Sequence, residues 1–170
     1  LDDATNRGPL FSLPGSSGSR WQAHAPYNGT AYFDCGGTGG ASRVNTNYGT
    51  DTGDNVLVGF YGSTTDSVQQ IFKNGEVLVG DASGHTVSTV GNIFIGSDGG
   101  STYQDTTIGE VIIVNGTVSQ ADRQKLEGYL AHKWGLAGSL PGDHPYKAAP
   151  PGGAGASADM AADTSDADGN

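Results

Sequence analysis

The residues with chemistry to offer are of three kinds, and each has an ordinary structural use beside the chemical one. Oxygen donors gather in two glycine-containing loops, Asp51, Asp54 and Asn55 in Thr-Asp-Thr-Gly-Asp-Asn and Asp98 in Gly-Ser-Asp-Gly-Gly. Calcium takes about six to eight such oxygens from flexible loops. The spacing does not follow the EF-hand pattern, and Asp before Gly is also common turn chemistry. A calcium site on Asp51, Asp54 and Asp98 is therefore an expectation secondary to the turn role, and no other cofactor is called for. Aromatic side chains form the second kind. A sugar ring has an apolar face and a polar rim, so it is held by an exposed ring with amide or carboxylate partners. Trp21, Tyr27, Tyr48 and Tyr103, with Asn47 and Asp51, make up a candidate carbohydrate-binding set. Tyr61 has the same chemistry, although Trp21 and Tyr61 read first as residues that fill the core.

Catalytic groups are the third kind, and they are poorly arranged. No Gly-x-Ser-x-Gly elbow is present, and His24, His85, His132 and His144 stand in no nucleophile motif. Glycoside hydrolysis needs two carboxylates about 5–9 Å apart across the scissile bond. The apolar run Ile108 to Asn115 carries a single acid, Glu110, which reads as a structural edge residue. No catalytic residue is assigned, and the chain is expected not to be an enzyme. Cys35 is a lone cysteine, so no intramolecular disulfide framework or cysteine-rich zinc site can form. It reads as a buried strand residue.

The elements that must position these residues are strands. Short runs with period-two alternation and turn clusters between them occupy Pro9 to Leu13, Arg20 to Ala25, Thr30 to Cys35, Arg43 to Thr46, Asn55 to Tyr61, Ser67 to Lys73, Glu76 to Gly80, Asn92 to Gly96 and Ile108 to Asn115. Such a series, recurring at about 8–12 residues, is the pattern of a sandwich or barrel. Asn28-Gly29, Asn74-Gly75 and Asn115-Gly116 are the pairs that tight hairpins use, because both central residues take positive φ. His24 alternates out of phase with Trp21, Ala23 and Ala25, which places it on the solvent side or at a pocket rim.

One helix follows the last run. Ser119 is its N-cap with Asp122 three residues on, Leu126, Leu130 and Trp134 share a stripe, and Gly135 ends it. Leu140 to Tyr146 then reads as an ordered strap. From Ala149 to Asn170 there is no branched aliphatic or aromatic residue, and the segment reads as a disordered acidic tail or linker. The chain thus divides into a domain over 1–148 and a tail over 149–170.

Composition sets the remaining limits. With 29 Gly among 170 residues, an all-helical fold is excluded, since interior glycines cost about 1 kcal/mol each in a helix. Lys and Arg total 8 against 18 Asp and Glu, a formal charge of −10, so neither nucleic acid nor an anionic membrane is an expected partner. No apolar run is long enough for a membrane span, so no membrane insertion is expected. The sequence opens at Leu1 without a signal-peptide pattern, which reads as a processed product or a piece of a longer chain.

The segments Ile108-Gly-Glu-Val-Ile-Ile-Val-Asn115, Val118 to Leu136 with its Tyr-Leu-Ala-His-Lys-Trp-Gly-Leu ending, and Leu140-Pro-Gly-Asp-His-Pro-Tyr146 resemble the end of laminin-G-like, concanavalin A-like domains of bacteriophage virion and secreted bacterial surface proteins. Trp21 to Tyr27, Ala31 to Asp34, Arg43-Val44 and Ile71 to Leu78 are similar to the middle strands of that family. The resemblance implies an all-β, two-sheet antiparallel jelly-roll sandwich with one C-terminal helix. It also implies further N-terminal strands, which are either missing from this stretch or supplied by another segment. The paired acids of the family's glucanase branch are absent. The function expected is a non-catalytic structural or adhesion module on a virion, such as a phage tail or capsid decoration, or on a cell surface, with other surface-protein chains as partners. The alternative is a lectin-like module that binds glycans, and a glycoside hydrolase ranks below both.

Overall fold

The computed structural model describes residues 8–14, 20–37, 42–49, 54–81 and 91–152. They form two antiparallel sheets and one helix. The strands are β1 (Phe11–Pro14), β2 (Arg20–Tyr27), β3 (Thr30–Cys35), β4 (Arg43–Asn47), β5 (Val58–Ser63), β6 (Val68–Lys73), β7 (Glu76–Asp81) and β8 (Phe94–Ile95), followed by α1 (Gln120–Lys133) and a short 3-10 turn (Ala137–Ser139). Five strands make one sheet in the order β4-β3-β2-β1-β8, and three make the other in the order β5-β6-β7. The all-β sandwich with a C-terminal helix expected from the sequence is therefore the architecture.

Local chemistry explains the connections. Asn28 and Gly29 take φ of 51° and 75° between β2 and β3, and Asn74 and Gly75 take 50° and 84° between β6 and β7. These positive angles suit the right-handed twist of the flanking strands, and a β-branched residue would not tolerate them. At Asn115-Gly116 only Gly116 has positive φ, and no hairpin forms there.

The sheets close on one another through small residues and aromatic rings. Ala23, Ala25 and Ala31 are fully buried beside Phe33, Cys35, Val44, Tyr48 and Ile71. Phe33 and Phe11 meet Phe60 of the other sheet at ring separations of 5.5 Å and 5.6 Å. Gly62 lies so close to Cys35 that a β-carbon there would stand 2.9 Å from the sulfur. Gln69 crosses the interface, its amide nitrogen donating to the Phe33 carbonyl at 2.6 Å.

Strand β6 is buried on both faces, with Gln69 and Ile71 toward the other sheet and Phe72 beneath the Arg123 guanidinium of α1, 4.2 Å from the ring centre. The helix is thus a third layer. Ser119 caps it by accepting from the Asp122 N–H at 3.1 Å. It ends in a Schellman motif, with Gly135 at φ 72°, Leu136 N–H on Ala131 and Gly135 N–H on His132. The strap returns over it. His132 bonds the Tyr146 carbonyl at 2.8 Å, the His144 ring bonds Glu127 at 3.2 Å, and Tyr146 lies against Gly128.

One expectation changes here. Ile108 to Asn115 is not a strand, and residues 105–118 make no backbone–backbone hydrogen bond with any described residue. The helix lies at the edge of the sandwich. Its buried residues are Glu127, Gly128 and Ala131, under the strap, while the stripe of Leu126, Leu130 and Trp134 looks into a gap beside β5. The tail expected from Ala149 lies beyond the described residues from position 153 onward.

Candidate functional site

Two surfaces concentrate the side chains with chemistry. The first is the outer face of the five-stranded sheet. Alternation sends Trp21, Ala23, Ala25, Ala31, Phe33 and Cys35 into the core, so Gln22, His24, Tyr32 and Asp34 face the other way. Antiparallel register then sets Ser12 beside Gln22, Gln22 beside Asp34, Asp34 beside Arg43, His24 beside Tyr32 and Tyr32 beside Asn45.

This face is a closed polar network rather than an open one. Asp34 is completely buried and accepts from both Arg20, through Nε at 2.7 Å, and Arg43, through Nη2 at 2.8 Å. Gln22 donates to Ser12 at 3.1 Å, and His24 Nδ1 bonds the Gly8 carbonyl at 3.0 Å. Burial lowers the His24 pKa, outweighing the opposing bond to Gly8, so the ring is neutral near pH 7. His24, Tyr27 and Tyr32 meet edge to face, with Tyr27 and Tyr32 centroids 5.7 Å apart, and the Arg43 guanidinium sits 4.9 Å over Tyr32. The exposed part of this face is the two tyrosine rings, half-buried, with Asn45 and Asn47 beside them.

The second surface is a groove between β5 and residues 106–114, roofed by the end of α1. It encloses about 580 Å³ and is lined by Phe11, Trp21, Val58, Phe60, Ile112 and Leu130 among others. Val111, Ile112, Ile113 and Val114 are 48%, 40%, 51% and 46% exposed. Consecutive residues point to opposite sides of an extended chain, so similar exposure at all four means that both sides of this segment are open. A smaller cavity of about 130 Å³ continues past Leu57 to Phe60 toward Leu126, Leu130 and Ile112.

The segment is held near its start. Glu110 accepts from Trp134 Nε1 at 2.8 Å, from Lys133 Nζ at 3.2 Å and from the Tyr129 hydroxyl at 3.4 Å. Those donors, the Trp134 N–H first, hold its pKa below the usual carboxylate range. Gly109 lies flat under the Trp134 ring, where a β-carbon would come within 2.9 Å of it. Further on, the Tyr61 hydroxyl of β5 donates to Asp66.

The sequence-derived candidates scatter over these surfaces. Tyr48 does not form a platform: it is 3% exposed, in the core, with Lys73 Nζ 4.5 Å from its ring centre. Trp21 also belongs to the interior and the groove wall, packed on Phe11 and Phe33, with its N–H on the Cys35 sulfur at 2.8 Å. Small neighbours, Ala23 and Ala31, leave room for these rings inside. Tyr27 is on the polar face, Asn47 accepts from the Gly49 N–H at 3.1 Å, and Tyr103 is 68% exposed on the separate loop bridged to Ser97. Tyr27 and Asn47 share the polar face, Trp21, Tyr48 and Tyr103 stand apart from it, and Asp51 lies outside the described residues.

For the metal set, Asp51 lies outside the described residues. Asp54 is exposed at the groove mouth, while the Asp98 carboxylate is occupied by the N–H groups of Gly100 and Thr102 at 2.8 Å and 3.2 Å, which lower its pKa. Among the described residues no three His, Cys, Asp or Glu side chains are grouped to hold a metal ion. Sequence reasoning missed Tyr32 and Arg43, whose meeting depends on the register of β3 with β4, and it missed the groove, which no local pattern encodes.

No family of known proteins matches the chain, and no curated protein sequence is similar to it. One solved structure aligns, the crystal structure of an S-layer domain-containing protein (residues 221-444) from Clostridium thermocellum ATCC 27405, with 17% identity and a TM-score of 0.36. The alignment covers 75% of this chain and 65% of that one. Among the described residues no helix is long and apolar enough to cross a membrane.

Proposed function

We propose that this chain is a non-catalytic β-sandwich module displayed on a surface, of a bacteriophage virion or of a bacterial cell, where it makes structural or adhesive contacts with neighbouring protein chains. The observation that carries this reading is the groove, with Val111 to Val114 open on both sides beside it. Contiguous exposed apolar surface next to a sheet edge that no described strand covers is a protein-contact feature. The acidic surface, net −10, favours protein partners over nucleic acid.

The groove does hold two carboxylates, Asp54 and Glu110. A glycosidase acid must be kept protonated by a raised pKa. Glu110 is shifted the other way and its oxygens are spent on Trp134, Lys133 and Tyr129. This supports the non-catalytic reading. The second reading, glycan binding, has the half-buried Tyr27 and Tyr32 rings with Asn45 in its favour, and it moves the platform from Tyr48 to Tyr32.

Replacing Ile113 by Asp in the parent protein tests the choice. The variant is expected to keep its melting temperature and to lose incorporation into its particle or surface layer at least tenfold. Normal incorporation of that variant, with glycan-array binding that Tyr32→Ala removes, would establish the second reading instead.

A further inference from the structure

Three Asn-Gly pairs occur in the chain, at 28–29, 74–75 and 115–116, and the interaction reading uses none of them. The pair has a chemistry of its own. Glycine has no side chain to shield its nitrogen, so that nitrogen can reach Cγ of the preceding asparagine and close a cyclic imide. Closure demands that Cβ and the glycine nitrogen lie on the same side of the asparagine Cα–C bond. The three sites differ in whether the backbone permits this.

Two of the pairs are held away from closure. Asn28 and Asn74 have φ of 51° and 50°, and Gly29 and Gly75 follow at 75° and 84°. A two-residue turn of this kind sets ψ of its first residue near about +30°, which puts Cβ and the glycine nitrogen on opposite sides. Rotating ψ far enough to bring them together would break the flanking pairs, Tyr27 with Thr30 and Lys73 with Glu76. Further contacts hold the turns. The Gly29 carbonyl accepts from the Tyr48 N–H at 2.9 Å, and Asn74 is tied to Leu57 through its own N–H at 2.7 Å and through Oδ1 at 3.0 Å. Gly75 lies against His144, Leu140 and Pro141 of the strap.

Asn115 is held by none of this. It is exposed, its φ is negative, and Gly116 at φ 112° has open space beside its α-carbon. Neither residue makes a hydrogen bond with any described residue. The fixed points on either side are Glu110, bound to the helix end, and the Ser119 cap. Between them ψ of Asn115 turns without breaking a backbone pair.

We propose that Asn115 is a site of spontaneous deamidation and isomerisation, and that the fold protects Asn28 and Asn74 from the same reaction. Base removes the proton of the Gly116 N–H, and the nitrogen attacks Cγ of Asn115. The new C–N bond forms as the Cγ–Nδ2 bond breaks, and Nδ2 leaves as ammonia with the proton returned by the base. Water then opens the imide at either carbonyl, to an aspartate or to an isoaspartate whose main chain runs through Cβ. No oxidant or reductant takes part. The product carries one more negative charge beside the apolar run Val111 to Val114, whether or not that run is a protein contact.

The test incubates the 170-residue chain at pH 8 beside the synthetic peptide Val-Asn-Gly-Thr-Val with blocked ends. Pepsin digestion in acid and mass spectrometry read conversion at each of the three asparagines, with isoaspartate identified by fragmentation. Conversion at Asn115 is expected within about threefold of the peptide and faster at pH 8 than at pH 6, with Asn28 and Asn74 at least about tenfold slower than Asn115. In urea that unfolds the chain the three rates should converge. Asn115→Gln should remove the acidic species that isoelectric focusing resolves and leave the melting temperature unchanged. An Asn115 rate more than about tenfold below the peptide, or hairpin asparagines that convert as fast as Asn115 in the folded chain, would overturn the proposal. A difference among the sites that persists in urea would overturn the protection by the fold and assign it to the neighbouring residues.

Discussion

Trp134 Nε1 donates to Glu110 at 2.8 Å, and this bond ties the apolar segment 108–115 to the end of the helix instead of to the sheet. It leaves the main chain of the segment without a backbone partner among the described residues. Three donors from one helical turn and the next, Tyr129, Lys133 and Trp134, converge on one carboxylate. Gly109 fits beneath the indole only because it has no side chain. The anchor sets the spacing of the groove.

Replacing Trp134 by Phe keeps the ring over Gly109 and deletes the donor. Amide exchange across 108–115 should quicken severalfold while α1 and β2 are unchanged. Unaltered exchange would mean that Lys133 and Tyr129 suffice to hold Glu110.

Gly128 and Tyr146 fix the strap on the helix. A β-carbon on Gly128 would stand 2.4 Å from that of Tyr146, closer than any real contact. Helix propensity favours Ala over Gly by about 1 kcal/mol, whereas overpacking costs about 1–3 kcal/mol, so the clash should win. Gly128→Ala is expected to lower the urea midpoint, and Tyr146→Gly in the same chain to recover part of the loss. A net stabilisation by Gly128→Ala alone would contradict the packing.

Asp34 carries the polar face. Its carboxylate is fully buried between two guanidinium groups that keep about a quarter of their surface exposed. Asp34→Asn leaves both cations without their counter-charge, and breaking a buried pair costs about 3–5 kcal/mol. Chemical denaturation should show a loss of that size, with Tyr27 and Tyr32 losing their fixed orientation in near-ultraviolet circular dichroism.

His24 gives the protein a pH dependence of definite sign. Burial depresses its pKa below the unfolded value of 6.5, so the unfolded chain binds the proton first. Stability contributed by the neutral ring is complete above that value and falls as pH drops below it, toward the depressed folded pKa. Melting temperatures between pH 7.5 and 5 should decline for the native chain and decline less for His24→Gln. An equal slope in both would assign the acid sensitivity to other groups.

Much of this architecture is legible in the sequence because it is decided locally. The Asn-Gly pairs at 28–29 and 74–75 specify hairpins by their φ angles alone, and Ser119 and Gly135 mark the helix ends through caps made within a few residues. What local chemistry does not decide is which face of an element meets which neighbour. Leu126, Leu130 and Trp134 form the stripe that ordinarily packs inward, yet the strap claims the Glu127, Gly128 and Ala131 side through His132, His144 and Tyr146. Ile108 to Asn115 has the composition of a strand and pairs with none of the described strands, a fact about the surroundings rather than the segment. Tyr48 is a loop aromatic by sequence and a core residue by structure, because β4 delivers it beneath Lys73.

The open groove is tested most directly by amide hydrogen exchange on the isolated chain at low concentration. If β5 is an unpaired edge facing an unpaired segment, amides across 108–115 and those on the outer side of β5 should exchange within about tenfold of unstructured peptide, while β2 and β3 are protected by orders of magnitude. Slow exchange in 108–115 matching that of β2 would show the segment already paired in the lone chain and would contradict the groove.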